Sequence, residues 1–202
     1  MVAGIVNAIG LLSFEHQSVS HLTGTATLLG TGVLTSEPMS TIHLVGVLLA
    51  FMAGASAAGF LLHGSTLKLG RHYDTALLCE ALLLLASLWL LRGGSFAGHF
   101  FASAACGLQN GLATTYSGAV IRTTHVTGIF TDLGIMLGSR ARGQAIDSRK
   151  ARLFIYIIIG FIVGGALGAW LFARYDVAAL ALPAAICLVI AGIYRAGYRR
   201  GV

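Results

Sequence analysis

Two short stretches of this sequence hold the residue types that polar or ionic chemistry needs: Ser20-His21-Leu22-Thr23-Gly24-Thr25 and Thr124-His125-Val126-Thr127-Gly128-Ile129. Each offers an imidazole, a side chain that can bind a substrate or relay a proton. Each also offers a threonine suited to capping a helix and a glycine that lets a ligand or a second backbone come close. A helix starting at such a cap presents unpaired N–H groups and the positive end of its dipole, which favours an anion or a group with lone pairs. The substrate-binding candidates are therefore His21, Thr23, Gly24, Thr25, His125, Thr127 and Gly128, with Thr23 and Thr127 as the expected N-caps. The plainer alternative is that the two histidines only hydrogen-bond a broken backbone.

Other polar residues stand inside apolar segments, where ionisable groups are costly and point to function. Glu80, Asp132, Arg122 and Glu15 are candidate coupling or gating charges, with Arg122 a potential partner of Asp132 or Glu80. Asn7 and Asn110 are expected to hydrogen-bond between helices. The sequence contains no G-x-x-x-x-G-K-[ST], no H-E-x-x-H and no G-x-S-x-G, which argues against ATP-driven transport by this chain alone and against an enzyme. Cys79, Cys106 and Cys187 lie in apolar runs without a C-x-x-C pair and are expected to be small core residues. His43, His63, His72 and His99 fall near helix ends, where interfacial placement accounts for them. No metal site and no cofactor is expected.

The elements that position these residues follow from composition. Apolar types make up 56% of 202 residues and charged types only 10%, against roughly 25% charged in a soluble domain. That is too little charge to cover a globular surface in water. The formal net charge of +6 is spread between apolar segments rather than gathered in a patch with aromatics, which argues against a nucleic-acid partner. The start of the chain lacks a basic run and a cleavage site, so no cleaved signal peptide is expected.

About 20 apolar residues cross a hydrocarbon core of about 30 Å as a helix. Residues 41–62, 74–91, 153–173 and 177–194 qualify directly. Residues 2–34 and 99–138 are longer, but polar runs at 15–24 and 122–128 interrupt them, and the apolar piece after each covers only about half the bilayer. Each is therefore expected to be one discontinuous span. The expected fold is an all-α integral membrane bundle of about six transmembrane helices, the first and fourth broken. Both termini are placed in the cytoplasm, because Lys68, Arg71, Arg140, Arg142, Arg149, Lys150, Arg152, Arg195, Arg199 and Arg200 then face inside, and only Arg92 and Arg174 outside.

The halves repeat. Beyond the two His-Thr-Gly stretches, Thr27, Leu29 and Gly30 correspond to Thr131, Leu133 and Gly134. Upstream, Gly4-Ile5-Val6-Asn7 corresponds to Gly107-Leu108-Gln109-Asn110, and Ala50, Gly54 and Ala58 correspond to Gly160, Gly164 and Gly168. The last two sets are small-residue stripes, which let helices pack closely in lipid. With three spans in each half (residues 1–92 and 98–202, one membrane domain together), the second half must enter the membrane inverted.

The run Gly4 to Phe14 leading into the first His-Thr-Gly stretch, with Gly107-Leu108-Gln109-Asn110 leading into Thr123-Thr124-His125-Val126-Thr127-Gly128, resembles the YoaK-like family of small bacterial inner-membrane proteins. The resemblance covers nearly the whole chain and implies a multi-pass protein of the bacterial inner membrane. Relatives carry Asn after the T-G pair, where this chain has Thr25 and Ile129.

Together these features imply a secondary transporter or channel for a small solute, with an anion or weak acid favoured and proton coupling in reach. The alternative is a non-transporting scaffold or assembly partner, in which the glycine stripe at 160–168 joins subunits. The expected partners are the lipid bilayer, a small-molecule or ion substrate and a second copy in a homo-oligomer.

Overall fold

The computed structural model describes residues 1–13, 19–32, 38–62, 72–116 and 123–199, and every regular element among them is helical. In chain order these are α1 (Val2–Ser13), α2 (Leu22–Gly32), α3 (Pro38–Leu61), α4 (Tyr73–Arg92), α5 (Ala97–Tyr116), α6 (Val126–Ala141), α7 (Ser148–Tyr175) and α8 (Ala181–Arg199). A 3-10 turn, Asp176–Leu180, joins α7 to α8. Glu15, Arg122 and His63 lie outside the described residues.

Local chemistry sets the boundaries. Asp147 caps α7 by accepting from the backbone N–H groups of Arg149 and Lys150, both at 3.0 Å, so this helix starts five residues earlier than its apolar run. α4 stops at Gly93, and Gly94 takes the left-handed conformation (φ 72°) that turns the chain into α5. Gly143 (φ 83°) does the same after α6.

Three apolar helical runs are long enough to cross a membrane: Met39–Leu61, Tyr73–Arg92 and Ser148–Gly197, the last holding both α7 and α8. The outer surface is apolar to a degree that water does not tolerate. Phe60 is 86% exposed, Trp89 75% and Met39 69%, and such side chains over a whole surface require lipid or a partner around them. Arg174 lies over the Trp170 ring, 4.5 Å from its centroid, the pairing of cation and amphipathic aromatic found where a helix leaves the membrane.

α5 stands apart, because its polar residues point inward. It packs between α3 and α4 and touches α1, and it buries His99, Ser103 and Asn110. Neighbours meet two of these groups: the Ser103 hydroxyl donates to the Val47 carbonyl at 2.8 Å, and Asn110 Oδ1 accepts from the Thr123 hydroxyl at 2.7 Å. A helix with a polar face turned into the bundle has low mean hydropathy, which is why α5 is not among the three apolar runs.

The helices pack across the two halves of the sequence. α1 lies on α7, α5 lies on α3, and α4 packs on α8. Glycines make the first two crossings. A Cβ on Gly4 would overlap the Phe161 carbonyl oxygen, and one on Gly107 would overlap that of Phe51. In the same way Gly164 meets the backbone of Met1, and Gly54 that of Ala104. Gly168 abuts Ala8, and Gly111 abuts Ala58. Each contact in one crossing thus has its counterpart in the other, on the positions that correspond in the sequence.

Helix direction follows from the same contacts. Met1 faces Gly164 whereas Ile5 and Ala8 face Gly168, so α1 and α7 run the same way. The end of α1 then meets the start of α5, with Ser13 Oγ 3.4 Å from His99 Nε2.

Candidate functional site

The two breaks share one construction. Ahead of α2, the Ser20 hydroxyl donates to Asn7 Oδ1 at 2.6 Å. Ahead of α6, Asn110 Oδ1 accepts from the Thr123 hydroxyl at 2.7 Å and from the Thr124 N–H at 3.1 Å, and its Nδ2 donates to Thr124 Oγ1. An asparagine on the preceding helix therefore bonds the residues just ahead of the next one, where the helical ladder of backbone hydrogen bonds has not yet begun. The hydrogen bonds seen for Asn7 and Asn110 run from α1 and from α5 to the residues just ahead of the next helix. They tie each first helix to its own break.

The helix starts also differ from expectation. α6 has His125 as its N-cap residue, with no hydrogen bond from the side chain to the first turn, and α2 begins at Leu22, directly after His21. Thr23 and Thr127 thus lie inside the first turn rather than capping it, and their carbonyls accept from the hydroxyls of Thr27 and Thr131 at 2.8 and 3.0 Å. Thr25 is buried, and its hydroxyl and N–H both reach the His21 carbonyl.

The close approach that the glycines permit is made by the chain itself. The ring of His21 lies against Gly24, and that of His125 against Gly128, where any Cβ would meet Cδ2 and Nε2. Both histidines are exposed on the protein surface. α2 packs mainly on α3 and α6 on α7, through Ile129 against Phe154 and Ile158. The principal contacts of these two short helices are not with one another.

The charged candidates are also separated. Asp132 is half-exposed on α6, at the position where α2 carries exposed Leu28. Glu80 is only 2% exposed, inside α4. Gln109 of α5 donates to Glu80 Oε1 at 2.8 Å, and no hydrogen-bond partner lies on Oε2. The thiols of Cys187 on α8 and Cys106 on α5 stand beside this carboxyl. Three helices, α4, α5 and α8, thus converge on one buried acid with no cation among its described neighbours. Gln109 belongs to the corresponding Gly-Leu-Gln-Asn stretch, but only the packing of α4 on α5 reveals its partner.

A second polar cluster escaped the sequence. His99, near the start of α5, is buried. Its ring stands edge-on to His43, centroids 5.2 Å apart, with Phe96 and Phe100 packed around His43. The two histidines are far apart in sequence, and the α3–α5 crossing unites them.

The small-residue stripe at Gly160, Gly164 and Gly168, expected to serve as a subunit interface in a scaffold, is occupied within the chain by α1. Among the described residues no group of three or more His, Cys, Asp or Glu is arranged to hold a metal.

No curated protein and no solved structure matches this chain. A family model described as a protein of unknown function (DUF1275) matches residues 1–193, from the start of α1 into the last turns of α8, and the chain therefore belongs to that family.

Proposed function

We propose that this protein is a secondary transporter or channel for a small solute, an anion or weak acid, coupled to protons through Glu80. In this reading residues 1–92 and 98–202 are two three-span halves inserted in opposite directions, related by a pseudo-two-fold axis in the membrane plane. α4 and α8 pack near that axis, and both termini face the cytoplasm of a bacterial inner membrane. The breaks ahead of α2 and α6 act as joints, and His21, Thr23 and Gly24 with His125, Thr127 and Gly128 receive the solute at either side.

One observation carries the proposal: a buried carboxyl with one oxygen unsatisfied, at the meeting of α4, α5 and α8. Such a group is costly in lipid, and replacing it with a well-packed apolar residue would stabilise a purely structural bundle. A carboxyl placed there fits a proton that binds and leaves. The matched crossings support it further, since they give the bundle two equivalent places at which one half can move against the other.

The test is flux into proteoliposomes loaded with a pH-sensitive dye, using formate, acetate, lactate, nitrate and chloride with and without a pH gradient. At least one solute should move faster than in protein-free vesicles, with a rate that depends on the gradient. Glu80→Gln should keep the protein folded and remove that dependence. No solute-dependent flux under any gradient would overturn the reading and leave the scaffold alternative in its place.

A further inference from the structure

At the end of the bundle where α6 gives way to α7, the segment 140–152 carries Arg140, Arg142, Arg149, Lys150 and Arg152. Its one acid, Asp147, is engaged in capping α7. Positive charge there is therefore uncompensated. The cations are also ordered: Arg152 Nε donates to the Ser148 carbonyl at 3.2 Å, and Lys150 Nζ sits over the Phe154 ring, 5.4 Å from its centroid.

Between these two helices is a cavity of about 480 Å³. Arg140, Arg152 and Ser148 line it together with Ala145, Ile146, Ala151 and Ile155. Two guanidinium groups beside a hydroxyl match the oxygens of a phosphate, which arginine binds in paired hydrogen bonds. The apolar lining has no use for a free, fully hydrated anion. Ile155 of that lining is 45% exposed on α7, and Leu137 and Ile135 on α6 are 67% and 63% exposed.

We infer that this cavity is a binding site for the head group of an anionic phospholipid, with Arg140 and Arg152 on the phosphate and the acyl chains along Ile155 and Ile135. Basic pockets beside membrane helices select such lipids over zwitterionic ones by charge, and the adjoining apolar wall selects lipid over soluble anion. A generally basic loop would attract the whole anionic surface without regard to which arginine faces the cavity, and this difference gives the test.

The purified full chain in detergent is titrated with phosphatidylglycerol, with phosphatidylcholine of the same chains and with inorganic phosphate, and followed by thermal unfolding and by native mass spectrometry. Phosphatidylglycerol should raise the unfolding temperature by several degrees and remain bound, because a ligand held only by the folded state stabilises it. Arg140→Gln with Arg152→Gln should weaken retention about tenfold or more, whereas Arg142→Gln with Arg149→Gln, outside the cavity lining, should change it less than threefold. Each single cavity variant should show part of the loss, so a double variant that fails to fold does not close the question. Equal stabilisation by phosphatidylcholine overturns the proposal. So does equal loss from both pairs of variants, which marks diffuse attraction, or an effect of inorganic phosphate as large as that of the lipid, which marks a soluble-anion site.

Discussion

At Gly107 any side chain would run into the Phe51 carbonyl, and at Gly4 into that of Phe161. Because backbone cannot retreat as a flexible side chain can, Gly107→Ala should lower stability in detergent by about 1–3 kcal/mol, the usual cost of overpacking, and Gly4→Ala by a similar amount. Gly30 and Gly59 have open space around them. There Ala should be neutral or stabilising by up to about 1 kcal/mol, from the lower entropy of the unfolded chain. Thermal unfolding of the four variants separates glycines that form crossings from glycines that merely occupy helices. Gln109→Leu should cost about 1–3 kcal/mol by stripping Glu80 of its donor, and adding Glu80→Leu should restore much of the loss, since the buried acid then no longer needs a partner. The corresponding glycines and asparagines were legible as repeated types at repeated spacing. The Glu80–Gln109 pair was not, because nothing in α4 says which helix will stand beside it, and the His43–His99 contact was hidden for the same reason.

At the level of elements, the breaks depend on one side chain each. Asn110 makes three hydrogen bonds to the segment ahead of α6, and Asn110→Leu should leave these groups without partners at a cost of about 1–3 kcal/mol. Hydrogen exchange should then show faster opening of the first turns of α6 while α3 and α4 keep their protection. Loss of protection spread evenly over the bundle would contradict a local anchoring role. The sequence did announce where the helices break, since a polar run inside an apolar stretch is costly in lipid unless its groups serve a bend or a buried contact. It misled about how they restart. Thr is a strong capping residue by preference, yet each helix starts two residues earlier, so that His21 and His125 precede the first turn and fold their rings onto Gly24 and Gly128. The glycine stripe on α7 likewise announced a close neighbour without naming it. Small residues record how near another backbone comes, and α1 of the same chain is what comes near.

Over the whole molecule, the crossings of α1 on α7 and α3 on α5 interlock the two halves of the sequence. Residues 1–95 and 96–202 expressed separately should each be degraded or aggregate, and expressed together they should assemble into a complex that co-purifies. A stable, monodisperse half would contradict the interlocking. The central claim is that α5 and α6 form one broken span and not two crossings, which decides whether the halves are inverted. The contacts favour it: α1 runs along α7 toward the start of α5, and α7, at 28 residues, is about 42 Å long, which sets the α6–α7 turn at the end of the bundle away from the start of α5. The most direct measurement replaces the native cysteines with alanine and places a single cysteine at Arg92→Cys or Gln144→Cys. A membrane-impermeant maleimide is then added to intact cells and to inverted membrane vesicles. Position 92 should react only in intact cells and position 144 only in inverted vesicles; labelling of both from the same side would show that α5 and α6 are two separate crossings.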